Sequence, residues 1–102
     1  MDRLQCRDHF LTILRNAASQ RAKRNKWVFD PFEGMNVLEW VIYERKLMLD
    51  EVNRFRESKG LDPVGENDIL RVEQLAVGHV DYAEKFSLYC AELSDGVEEI
   101  QP

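Results

Sequence analysis

Gly78-His79-Val80-Asp81-Tyr82 is the densest group of chemistry-bearing residues in this 102-residue chain. A histidine close to a carboxylate can exchange protons near neutral pH, which is the raw material of acid-base catalysis. A helix junction explains the same residues: Gly78 ends one helix, His79 lies on the turn, and Asp81 caps the next with Glu84 at capping-box spacing. No nucleophile with a positioned base accompanies them, so the spacing predicts a non-enzymatic protein. Metal chemistry lacks ligands as well, because His79 and Asp81 are too few and His9 stands near only Asp8 and Cys6. Gly34, Gly60, Gly65, Gly78 and Gly96 are scattered turn residues without the spacing that cradles a phosphate. Neither a cofactor nor a metal is expected.

The second group with chemical potential is Arg21-Ala22-Lys23-Arg24-Asn25-Lys26-Trp27. Its cations could contact phosphates while the indole stacks on a base, or Arg21, Lys23, Arg24, Lys26 and Trp27 could form the edge that faces a protein partner. The bland reading is a solvated helix end, where cations suit the negative pole of the helix dipole. Residues 1–26 carry seven cations against two carboxylates, a net of +5, while the rest carries seven against seventeen, a net of −10. Oppositely charged halves can pack within one molecule, pair between two copies, or leave the basic end for an acidic partner. An isoelectric point near 5.0 opposes broad affinity for nucleic acid.

These groups need helices to position them. Leu4, Leu11, Leu14 and Ala18 recur at helical spacing over residues 4–22, with Cys6, Phe10, Ile13 and Ala17 as a neighbouring stripe. Trp27, Phe29, Pro31, Phe32 and Gly34 then make an aromatic connector. Asn36 with Glu39 has capping-box spacing, and Lys59-Gly60 closes a helix over 37–58 in which Asp50 and Arg54 are an i, i+4 pair. A turn through Gly60, Asp62, Pro63 and Gly65 precedes a third helix to about Val77, with Glu66 and Asp68 in its first turn. The pattern leaves open whether Gly78 breaks or bends the chain before a last helix that buries Tyr82, Phe86, Tyr89, Cys90 and Leu93.

Two-residue alternation and internal repeats are both absent, so the fold class is all-α: one bundle of about four helices over residues 1–96, followed by a frayed acidic tail over 97–102. Its principal core is expected to include Leu14, Trp40, Val41, Met48, Val52, Leu75, Phe86 and Cys90. Both cysteines, Cys6 and Cys90, fall among apolar helical neighbours and read as reduced thiols. Val37 to Leu49 is too short and too charged to span a membrane, and Asp2, Arg3, Arg7 and Asp8 interrupt anything resembling a secretory signal. A cytoplasmic location is the resulting expectation.

Residues 71–86, together with Glu39-Trp40-Val41 and Val52-Asn53-Arg54, resemble small uncharacterised helical proteins of phage and mobile-element genomes. The resemblance implies an accessory protein that acts by binding, for example by inhibiting a host or defence protein. It identifies no target and leaves the basic first helix unmatched. The sequence therefore reads as a protein-interaction module, able to form a homodimer, with a nucleic-acid-binding accessory protein as the alternative.

Overall fold

A computed structural model describes residues 1–24 and 37–102, with side chains for 1–20 and 41–102. Among the described residues the chain forms four helices and no strand: α1 (Arg3–Arg24), α2 (Val37–Ser58), α3 (Glu66–Val77) and α4 (Tyr82–Ser94). The expected boundaries hold to within two residues, and Gly78 breaks the chain instead of bending it. Asn36, Trp40 and the aromatic connector lie outside the described residues or side chains.

Pairs of contacts fix the helix directions. His9 meets Glu51, Asn53 meets Val64, Arg45 meets Glu73 and Arg3 meets Asp95, so each neighbour in the ring runs antiparallel to the next. The result is an up-down-up-down four-helix bundle in which α4 touches all three other helices and α1 most extensively. α1 and α2 have 22 residues each, against 12 and 13 for α3 and α4. At 1.5 Å per residue the first pair is therefore about 33 Å long and the second about 18–20 Å, so α1 and α2 run past the α3–α4 turn.

Phe10, Met48, Val52, Ile69, Val72, Phe86 and Cys90 have essentially no exposed surface and form the centre of the core. Leu14 is also buried and Leu75, half-buried, packs against the core, while Val41 is half-buried. On α1 the buried stripe is Cys6, Phe10, Leu11, Leu14 and Ala17, with Ile13 packed beside it. The expected stripe of Leu4, Leu11, Leu14 and Ala18 is corrected at its ends, since Leu4 is 60% exposed and Ala18 is exposed too. Spacing alone could not separate two adjacent stripes; coverage by α2 and α4 does.

α4 is buried beyond its apolar residues. Ser87 and Ser94 have no exposed surface, and each hydroxyl donates to the carbonyl four residues earlier, Ala83 and Cys90 respectively. With Ala83 and Ala91 they make a stripe of small side chains, which lets neighbouring helices approach the central one. Back-bonding satisfies the hydroxyls that burial would otherwise strand.

Local polar bonds set the helix ends. Asn53 brackets Val64 by donating from Nδ2 to its carbonyl at 3.0 Å and accepting its N–H at 2.8 Å, which pins the α2–α3 loop. Asp68 reaches back to accept the Gly65 N–H at 2.9 Å, half of a capping box. Asp81, by contrast, makes no side-chain cap, which corrects the expected box with Glu84. The Asp81 carbonyl instead accepts the Lys85 N–H at 3.0 Å as the first backbone bond of α4. Arg54 pairs with Glu51 and not with Asp50, because Glu51 faces α1 and is already partly buried there.

α2 and α4 finish at the same end with the same device. Gly60 at φ +72° and Gly96 at φ +86° occupy the left-handed region, where a side chain is strained. In each case the next residue bonds back in a Schellman motif: Leu61 N–H to Arg56 and Gly60 N–H to Glu57, then Val97 N–H to Glu92 and Gly96 N–H to Leu93. The expected frayed tail is also corrected, because Ile100 is only 6% exposed and Val97 packs on the core. Packing thus continues to residue 100.

Candidate interaction surface

The α3–α4 turn lies at the opposite end. Val77 is 65% exposed and Val80 fully so, at 108%, leaving two apolar side chains in water on either side of Gly78. Beside them is a groove of about 350 Å³ whose walls are α1, through Leu11, Leu14, Arg15 and Ala18, and residues 80–84. Its rim is charged on both sides: Arg15 projects from α1, and Asp81 and Glu84 from the start of α4. None of the three has an ion-pair partner among the described residues. Arg15 and Glu84 also share the adjoining polar recess with Arg7, Asp8 and Thr12.

Tyr82 ties this groove to the interior. Its ring packs on Phe86 at 5.8 Å between centroids, and burial, reinforced by the Glu73 carboxylate, pushes its phenol up to about 12. It remains neutral at physiological pH. Below it Arg45 grips Glu73 through three hydrogen bonds of 2.7–3.0 Å, and the Glu73 side chain is only 8% exposed. A two-pronged guanidinium contact of this kind fixes the α2–α3 geometry on which the turn rests.

The junction does not assemble the acid-base group that its residue types could make. Gly78 and His79 both donate backbone N–H bonds to the Ala76 carbonyl, and no hydrogen bond joins His79 to Asp81 or Tyr82 among the described residues. Of the sequence-predicted partner-binding residues, Arg21, Lys23 and Arg24 fall in the last turn of α1, with side chains outside the description. Lys26 and Trp27 lie outside the described residues altogether.

A second polar pair joins α1 to α2 and could not be read from local spacing. His9 Nε2 stands 3.1 Å from Glu51 Oε2, an ion pair when the imidazole is protonated, though without the alignment of a good hydrogen bond. The ring sits edge-on to Phe10 and Phe55, and Arg54 lies over the Phe55 ring. Burial raises the Glu51 carboxyl, but Arg54 and His9 outweigh it and hold the group below the usual carboxylate range. No group of three or more His, Cys, Asp or Glu side chains is arranged to hold a metal among the described residues. Burial pushes the thiols of Cys6 and Cys90 up, so neither is an activated nucleophile.

The groove was only partly visible in the sequence. Leu11, Leu14 and Ala18 belong to the expected apolar stripe, and Asp81 and Tyr82 to the junction, but Arg15, Val80 and Glu84 carried no signal as a set. An apolar valine in a turn was the available hint. Compared with known proteins, the chain matches no family model, no curated protein and no solved structure. Among the described residues, no helix is long and apolar enough to cross a membrane.

Proposed function

We propose that this chain is a non-enzymatic protein-interaction module that engages its partner through the groove beside Val80. The observation that carries the reading is the fully exposed Val80, standing in water over a groove with apolar walls and charged rims. Apolar side chains at the centre of a patch with polar groups at its edge are the usual anatomy of a protein contact. The resemblance to accessory proteins of phage and mobile elements adds the kind of role: binding, and thereby inhibiting, a host or defence protein. The cluster Arg21, Lys23, Arg24, Lys26 and Trp27, which follows the groove residues Arg15 and Ala18 in the sequence, is proposed as a further part of the partner-facing edge.

A photo-crosslinking residue at position 80, introduced in cells that encode the protein, tests this. One predominant protein adduct is expected, with none from the same residue placed at exposed Glu98 at the other end. Equal labelling from both positions would sink the reading. Copurifying nucleic acid that is lost on reversing Lys23 and Arg24 to Glu would replace it with the nucleic-acid alternative.

A further inference from the structure

We propose that the groove beside Val80 docks a second copy of this chain, with Arg15 of each copy set against Asp81 and Glu84 of the other. The proposal rests on the interaction-module reading and names a second copy, in place of a foreign protein, as the occupant of this groove. A two-fold interface uses the same patch on both subunits, so that when one residue meets a second, the second also meets the first. Such a patch must be complementary to itself. This groove is: the α1 wall contributes a cation, the wall of residues 80–84 contributes two carboxylates, and apolar side chains line both.

The symmetry axis follows from that arrangement. An axis running along the groove turns the basic wall of one copy over the acidic wall of its partner and forms the ionic contact twice. An axis across the groove would oppose like charges, which costs specificity and affinity. Arg15, Asp81 and Glu84 are all exposed and without ion-pair partners among the described residues, so dimerisation breaks no described ion pair. Val80 supplies the projection that two facing concavities need, since its side chain stands clear of its own subunit and can enter the partner's groove. A different protein would have to present an apolar ridge with a basic edge and an acidic edge on the correct sides. A second copy does so by construction.

Sedimentation of the full chain across the micromolar range tests the proposal. The salt concentration must be fixed, because each copy carries a net charge of −5 and the long-range repulsion has the opposite salt dependence to the rim pairs. The wild type is expected to be a dimer. Arg15→Glu and Glu84→Arg should each weaken self-association by at least about tenfold, as expected when an attractive pair becomes repulsive at both symmetric contacts. An equimolar mixture of the two variants should dimerise again, since Glu at 15 of one faces Arg at 84 of the other at one contact and the unchanged Arg15 faces the unchanged Glu84 at the second. The double variant carrying both reversals should also recover a homodimer. Circular dichroism and melting identify any variant that fails to fold, and the mixture experiment remains decisive between variants that do.

A wild type that stays monomeric throughout the range overturns the proposal, as does a dimer indifferent to both reversals. If the wild type is monomeric while position 80 still crosslinks a single foreign protein in cells, self-pairing falls and the interaction-module reading stands. If dimerisation responds to the reversals but no foreign adduct forms, the second copy is the partner.

Discussion

The two ends of the bundle are built on opposite principles. Where α2 and α4 terminate, cations reach carbonyls that the helices leave open: Arg56 donates to the carbonyls of Leu93 and, in the following loop, Asp62 at 2.6 Å, and Lys59 donates to the Ser94 carbonyl at 3.2 Å. Lys59 and Arg3 also share the Asp95 carboxylate, so α1, α2 and α4 are joined at one point. At the α3–α4 turn the rim charges Arg15, Asp81 and Glu84 have no ion-pair partner among the described residues, and Val77 and Val80 remain in water. Cations at helix C-termini complete hydrogen bonds that the helices cannot make for themselves, which explains the first end as stabilising. Among the described residues nothing comparable accounts for the exposed Val80 beside the groove. The contrast is between charge paired within the fold and charge with no ion-pair partner among the described residues.

Arg56→Ala should break the closed end most severely. It removes two charge-assisted hydrogen bonds, a partly buried one to the end of α4 and an exposed one to the loop after α2; the partly buried one contributes about 1.5–3 kcal/mol and the exposed one less. A drop of about 2–3 kcal/mol in unfolding free energy is expected, read from the urea midpoint. An unchanged midpoint would mean that water replaces the guanidinium without cost, and the closed end would then owe its order to packing alone.

Gly96→Ala sharpens the same point at a single atom. The residue has positive φ, and an added Cβ would lie 3.1 Å from a methyl carbon of Leu61, so strain and crowding act together. About 1–2 kcal/mol of destabilisation is expected. Gly60→Ala provides the control, because it shares the strained φ but would meet nothing within 4 Å. The difference between the two variants measures the contact between the Leu61 and Gly96 loops; equal losses would show that backbone strain is the whole effect.

Acid should loosen the closed end by a smaller amount. Burial raises the Asp95 carboxyl, but hydrogen bonds from Lys59 and Arg3 prevail and hold it below the usual carboxylate range, and Glu51 behaves likewise beside Arg54 and His9. A folded-state value below the unfolded one contributes stability that is fully present above the ordinary carboxylate range and lost as pH falls through the lowered folded values. Both groups are partly exposed, so less than about 1 kcal/mol each is expected. Urea midpoints measured from neutral pH downward should fall, and Asp95→Asn with Glu51→Gln should flatten the fall. A slope unaffected by these substitutions would assign acid sensitivity to other carboxylates.

Helix placement was legible because it depends on local information: apolar periodicity, Gly60 and Gly96 as stops, and Pro63 with Gly65 in a turn. Features that depend on which helix covers which face were not. Leu4 and Leu11 occupy equivalent positions seven residues apart, yet only Leu11 is covered by the bundle. Ile100 looked like tail sequence because its partners are distant in the chain, and His9 found Glu51 forty-two residues away by the same long-range route. The groove belongs to this second kind, since α1 and the α3–α4 turn meet only after the bundle closes. Charge asymmetry was visible from the start, but the partition into paired Arg3 and unpaired Arg15 required the fold.

Val80→Asp should have the smallest effect on stability, and that near-silence is the strongest test of the contrast between the ends. Val80 is fully exposed, so exchanging it removes almost no buried apolar surface and strands no polar group. Surface substitutions of this kind change stability by no more than about 0.5 kcal/mol. The melting transition should therefore match the wild type while binding through the groove is lost, because a carboxylate would have to be desolvated where a valine was to be buried. The pairing of a silent melt with lost association is specific to an interface residue. A clear fall in melting temperature would instead show that Val80 is covered in solution by the protein's own chain, and the open end would then be structural after all.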